Sequence, residues 1–391
     1  MNRIYYAERD TTLLEKRPEQ NTGIDEVLEL TKIASGSRAF ENGSDLGIQA
    51  KTFNSRILID FGSQITSLSQ SIVNGEIPLL DNGHITSASV FLNLRATEAS
   101  DLLQKYSIKS YPISQSWHNG LGRFDDSPLT KIGSSWKFRS GDAVAQTGIP
   151  WNTGSAHSAN TSAGTSEPLG GGSWITGSGF EASQSFENES PDLRINVTDI
   201  VQNWLAGNAT NNGFIIKRPY ADEIDGQVRG SIKFFGRESH TIFVPKLEVC
   251  FDDVVNTDGN ATTQISSNTY VPYFKNIKAE YRTSEIARFR IGVRPEFPSK
   301  TFVTSSFFLT NDRLPNSSSY EIIDSATNEI IIKDENIFGN SKTKMSYDAD
   351  GSYFDLRMDS FMPERFYKIK LTCRRTFDTQ TFDDFYFKVV N

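Results

Sequence analysis

The stretch Leu193–Lys217, LRINVTDIVQNWLAGNATNNGFIIK, limits the fold more than any other part of the chain. Leu193, Ile195 and Val197 alternate with polar residues, the period of a half-buried strand. Ile200, Val201, Trp204 and Leu205 then fall on one face at helical spacing, and Gly207 sits where a left-handed terminating residue belongs. Thr198 or Asp199 is placed to accept a hydrogen bond from the first free amides of that helix. An Asn/Gly turn leads into a strand ending at Lys217. A helix of about two turns does not persist alone in water, so it needs a surface to lie on. The expectation is a structural plug, in which Ile200, Val201, Trp204 and Leu205 close one end of a β-sandwich.

The surrounding sequence reads almost wholly as β. Short strands are separated by turn clusters such as Glu41-Asn42-Gly43-Ser44 and Asp81-Asn82-Gly83. Glu98–Lys105 fits either a helical turn or a loop. Hydrophobic residues are 37% of the chain and aromatics 12%, with 27 Phe, which suits sandwiches with polar outer faces and aromatic interiors. The fold class expected is all-β: an N-terminal jelly-roll-like β-sandwich with one short amphipathic helix, and a smaller C-terminal immunoglobulin-like β-sandwich. Residues 1–252 form the first domain. The polar, Gly/Thr/Ser-rich run Asn256–Thr269 places a linker over 253–269, and 270–391 form the second domain.

Within 270–391, Ala287, Phe289, Ile291 and Val293 share one parity, and Arg288, Arg290 and Arg294 the other, so the arginines line an outer face. TFVTSSFFLT (301–310), YEIIDSATNEIIIKD (320–334) and SYFDLRMD (352–359) follow as strands. Tyr367, just after Phe361-Met362-Pro363, resembles the tyrosine corner of immunoglobulin-like and fibronectin type III sandwiches. Asp348-Ala349-Asp350-Gly351 reads as a tight hairpin turn, and Phe385, Phe387 and Val389 alternate in a closing strand.

Signs of catalysis are few. His84, His118, His157 and His240 are scattered without ligand spacing, and no HExxH, CxxC, P-loop, GxSxG or dinucleotide motif is present. Neighbouring carboxylates such as Asp125-Asp126, Asp252-Asp253 and Asp383-Asp384 point to opposite faces of a strand, so they are not a glycosidase pair. Cys250 and Cys373 read as small buried hydrophobes. No enzyme activity, cofactor or metal is expected. A formal net charge of −8 argues against a broad nucleic-acid footprint. With no apolar run of about 18 residues, no membrane span is expected. MNRIYYAERD has no apolar core of a signal peptide. From Ser140 to about Ser190 the chain is rich in Gly, Ser and Thr around Trp151 and Trp174, so it is either a surface excursion whose tryptophans pack back or a contact loop.

Several motifs together carry a resemblance. VTDIVQNWLAGNATNNGFIIK resembles the hallmark segment of the DNRLRE family, β-sandwich domains of secreted bacterial proteins and virions. Asp10–Leu30 resembles that family's opening strands and Asn-x-Gly turn, and Ser55–Phe61 and 87–94 its next strands. Phe235–His240 and Val244–Phe251 resemble its last two strands. Trp117 fits the family's Trp-x-Glu position, although here the sequence is Trp-His-Asn. The likeness covers roughly the first 250 residues.

With an immunoglobulin-like unit following, the whole is similar to structural proteins of tailed marine bacteriophages. The function this implies is a non-enzymatic virion subunit of the tail, baseplate or neck. It would be assembled in the host cytoplasm and dock by strand edges and loops onto other virion proteins, in a multi-copy homo- or hetero-oligomer. The alternative is a carbohydrate- or receptor-binding adhesion module, with Trp117, Trp151 and Trp174 stacking on a cell-surface glycan and Trp136 as a further stacker.

Overall fold

Alternating apolar residues produce strands along most of the chain, and the computed structural model is mostly β-sheet, an all-β sandwich fold. It describes residues 1–41, 44–77, 88–141, 148–151, 170–257, 262–297, 312–334, 342–375 and 378–391, with backbone alone over 35–41 and 44–50. Two units divide the chain, one chiefly Tyr5–Ile85 and Ser89–Glu248, the other chiefly Val249–Asn391 with Met1–Ile4.

In the order of the chain, the N-terminal strands are β1 (Asn2–Tyr6), β2 (Arg9–Leu14), β3 (Val27–Glu41), β4 (Ser44–Asp60), β5 (Ser89–Leu94), β6 (Ala96–Ser100) and β7 (Lys105–Pro112). There follow β8 (Phe138–Gly141), β9 (Gly148–Pro150), β10 (Ala182–Glu187), β11 (Leu193–Asn196), β12 (Phe214–Lys217), β13 (Gly230–Phe235) and β14 (Lys246–Cys250). One sheet has the order β1-β14-β5-β11. The larger has the order β10-β7-β12-β4-β3-β13-β6, with β2 also on β4. Glu98–Ser100, left open between helical turn and loop, thus belongs to strand β6 and pairs with β13.

Three α-helices form among the described residues, not one: α1 (Gly62–Val73), α2 (Thr198–Leu205) and α3 (Tyr220–Ile224). α1 escaped notice because its buried face is only Ile65, Leu68 and Ser71 in a run of Ser and Gln. The expected plug is α2. Ile200, Val201 and Trp204 are buried and Leu205 is half-buried. The Trp204 ring lies 4.7 Å from that of Phe214, and Gly207 has φ +74°. The cap differs from expectation. The Thr198 hydroxyl donates to Asn196 Oδ1 (2.6 Å) and accepts the Val90 N–H (2.9 Å), so it is committed elsewhere. Asn196 Oδ1 accepts the Thr198 N–H instead (3.0 Å).

The C-terminal strands are β15 (Tyr270–Phe274), β16 (Glu280–Arg282), β17 (Ile286–Pro295), β18 (Ser319–Asp324), β19 (Ile330–Ile332), β20 (Ser346–Asp348), β21 (Gly351–Arg357), β22 (Arg365–Arg374) and β23 (Thr379–Val390). They form sheets of order β15-β17-β21-β20 and β16-β23-β22-β18-β19. Their interior is aromatic. Phe289 stacks on Phe354 at 5.2 Å, and Tyr320 on Phe354 at 4.1 Å. Phe289, Ile291 and Val293 are buried, while Arg288 and Arg290 face outward and pair with Asp355 on the adjacent β21 and Asp348 on β20 beyond it. The Tyr367 hydroxyl donates to Met362 O (3.0 Å), the bond of a tyrosine corner. Asp348 pairs with Gly351 across a two-residue turn, and Gly351 has φ +118°, which suits glycine alone.

Both cysteines are buried and neither is in a disulfide. The described part of 253–269 is tied to this unit: Asn256 bridges Tyr347, Gln264 bridges Arg313, and Ile265 is buried. The proposed strand 301–310, the turn at 81–83, and His84 and His157 lie outside the described residues.

Candidate functional site

The larger N-terminal sheet contains a fork. Below it, Val27–Lys32 of β3 pair with β13, and Ser55–Asp60 of β4 pair with β2. Above it, β3 and β4 pair with each other from Lys32↔Asn54 out to Glu41↔Ser44. Among the described residues no other strand pairs with Ile33–Glu41 or Ser44–Phe53. The result is a two-stranded arm of about ten residues per strand, on the order of 30 Å at the usual strand rise. Its ladder is irregular between Arg38 and Phe40. Along both outer edges no other described strand continues the ladder, and a strand edge of that kind is the chemistry that accepts an added strand.

At the fork, side chains replace the ladder. Ser55 Oγ donates to Glu29 O (2.6 Å) and accepts the Thr31 N–H (2.7 Å). Thr12 Oγ1 accepts the Glu29 N–H (3.0 Å). α3 holds the root of the arm from one side. Lys32 Nζ donates to Asp222 O and pairs with Asp225. Asn54 Nδ2 donates to Glu15 Oε2 (2.9 Å) and to Glu223 O (3.3 Å).

Two residues along β4, Arg56 is buried with Glu223 and Lys217. Arg56 grips Glu223 with Nε at 3.0 Å and Nη2 at 2.8 Å, and its Nη1 donates to Gly171 O (2.6 Å). Lys217 Nζ lies 2.7 Å from Glu223 Oε2 and donates to Arg218 O (2.8 Å). Burial works against the Glu223 charge, yet Arg56 and Lys217 outweigh it and hold the carboxyl below its ordinary pKa. Burial pulls Lys217 down to about 8, against the upward pull of Glu223. A bidentate, fully desolvated pair of this kind fixes orientation more surely than it adds stability. Here it ties α3 to β4, one of the two strands from which the arm departs.

The tryptophans expected to stack on sugar belong to this root. Trp117, Trp136, Trp151 and Trp174 are at most 4% exposed and pack in one cluster with Leu13, Leu58, Tyr111, Ile113 and Ile215. The Arg56 guanidinium carbon lies 4.7 Å from the Trp136 ring and 5.1 Å from that of Trp174, while Lys217 Nζ is 5.2 Å from the latter. The indole N–H of Trp117 donates to Asn212 O and that of Trp151 to Ser135 O, both at 2.8 Å. The stacking role given to Trp117, Trp151 and Trp174 is therefore corrected: all three rings are buried in the core, and the N–H groups of Trp117 and Trp151 are engaged there. A Gly/Ser-rich excursion supplies little apolar surface of its own, and its indoles pack back on the sandwich.

Sequence reasoning missed the arm and its ionic root. The arm had a visible signal, the Asn-Gly of Glu41–Ser44 between two β-rich runs, which is a strong hairpin cue. The root had none, since Arg56 and Glu223 are 167 positions apart. Among the described residues no group of three or more His, Cys, Asp or Glu is placed to hold a metal, and no helix is long and apolar enough to cross a membrane. Compared with protein-family models and with curated proteins, the chain matches none.

Proposed function

We propose that the chain is a non-catalytic structural subunit of a tailed-bacteriophage virion that docks onto neighbouring subunits through the β3–β4 arm. The observation that carries the docking mode is the arm itself, whose outer edges no other described strand pairs and whose root is clamped by Arg56, Glu223 and Lys32. A two-stranded ribbon is marginal in water by itself and gains a partner's strand on either side at little further cost in chain order. The particle setting rests on the likeness of residues 1–252 to DNRLRE-type sandwiches. Tail, baseplate and neck are the positions such a subunit would occupy, in a multi-copy assembly with itself or other virion proteins. The carbohydrate-binding reading loses the stacking surface on which it depended, because the four indoles named for it are buried.

Mass spectrometry of particles purified through a density gradient and washed in high salt tests the proposal. The expected result is the intact chain at a fixed multiple of a known ring protein. Recovery only in the soluble lysate fraction would overturn it.

A further inference from the structure

We infer that the C-terminal unit carries a second binding site, independent of the arm, that takes a carboxylate group. A cavity of about 570 Å³ opens between Gln264–Ser266, the turn Pro315–Ser317 and the end of β22. Its walls are tied together: the Ile265 N–H donates to Arg313 O (3.0 Å), the Arg313 N–H to Thr263 O (2.8 Å), and the Ser318 N–H to Pro315 O (2.9 Å). Arg374 and Arg375 line it, and among the described residues no acidic one does.

The two arginines differ in how their charge is met. Arg374 donates to Ser319 Oγ (2.6 Å) and pairs with Asp334. Arg375 is held by neutral groups among the described residues: Ile265 O at 2.7 Å, Asn268 Oδ1 at 3.2 Å, and the Tyr270 ring 5.0 Å away. Elsewhere in this unit a guanidinium fixed so firmly has a carboxylate, as Arg288 has Asp355, Arg290 has Asp348 and Arg365 has Asp324. Arg313, just behind the rim, is likewise met by neutral groups, donating to Asn316 of the cavity wall and lying 3.9 Å from the Tyr347 ring. The nearby Asp312 and Asp378 accept hydrogen bonds from Thr263 Oγ1 and Gln380 Nε2.

A cavity edged by oriented guanidinium, amides and hydroxyls matches a planar oxyanion better than a neutral or cationic group. Two sources present that chemistry, an acidic sugar or an acidic side chain of a protein partner. Calorimetric titration of the full chain at low salt separates them. The probes are sodium glucuronate against glucose, and N-acetylated tri-glutamate amide against its tri-glutamine counterpart.

The expected result is that at least one carboxylate probe binds about tenfold or more tightly than its neutral counterpart. Arg375→Gln should remove that difference. Ser266→Trp, which fills the cavity and leaves the arginines in place, should remove it as well, with thermal melts reporting that each variant is folded. Glucuronate alone binding assigns the site to acidic sugars, the peptide alone to a protein partner, and both to carboxylates in general. No preference for carboxylate over neutral probe, or a preference that survives in the folded Ser266→Trp variant, would overturn the inference.

Discussion

Glu223 shows at the scale of single residues how the root of the β3–β4 arm is held. Its carboxylate is shared by two buried cations, and its backbone carbonyl accepts from Asn54 where the arm begins. Replacing it with Gln leaves Arg56 and Lys217 buried without a counter-charge. Chemical denaturation should report a loss of about 3–5 kcal/mol, the usual cost of breaking a buried pair on one side. Asp10 offers a test by pH. It is 2% exposed and accepts the Arg237 N–H at 2.6 Å, and burial pushes its pKa up to about 7. An unfolded Asp titrates near 3.9, so the folded chain holds this proton longer. The contribution of the protonated group is therefore fully present below about pH 4 and is lost as pH rises toward about 7. Asp10→Asn keeps the acceptor and removes the charge. It should stabilise the protein at pH 8 by on the order of 2–4 kcal/mol and change little at pH 4. An equal effect at both pH values would contradict this account. Local chemistry was legible in the sequence, as with Tyr367 and its bond to Met362 five residues away. Charge pairs closed across the fold, such as Arg56 with Glu223, left no trace in composition or spacing.

At the scale of elements, α2 and the arm behave in opposite ways. α2 was readable because Ile200, Val201 and Trp204 repeat at helical spacing and Gly207 ends the run. Its stability comes from burial. Trp204→Ala should cost about 3–5 kcal/mol in equilibrium unfolding. The indole N–H of Trp204 is buried without a hydrogen-bond partner among the described residues, so Trp204→Phe should cost far less, within about 1.5 kcal/mol. If both substitutions cost the same, the helix is held by something other than ring packing. α1 was not readable, since two apolar anchors in a Ser/Gln-rich stretch set no clear period. The arm was half readable: its Asn-Gly turn cluster was plain, but the length of pairing on either side is set by where β13 and β2 let go of β3 and β4.

For the whole molecule, the two β-rich units carry different features, the β3–β4 arm on one and an arginine-lined cavity on the other, and we propose a binding role for each. The all-β class followed from alternation; the polar run near 253–269 reads as a linker in the sequence, whereas its described part is tied into the C-terminal unit, whose main run begins at Val249. The use made of the tryptophans did not follow, because a sequence cannot say whether an indole in a Gly-rich segment turns outward or inward. The arm is the centre of the functional account, and it can be removed cleanly. Ile33 and Phe53 face each other across the ladder, so an Asn-Gly turn joining them, in place of residues 34–52, closes a short hairpin and leaves the root intact. The most direct measurement is the copy number of parent and arm-less chains in gradient-purified particles, taken alongside their melting temperatures. The account predicts matching melts within a few degrees, parent chains present at fixed stoichiometry, and arm-less chains absent. Arm-less chains incorporated at the parental copy number would contradict it.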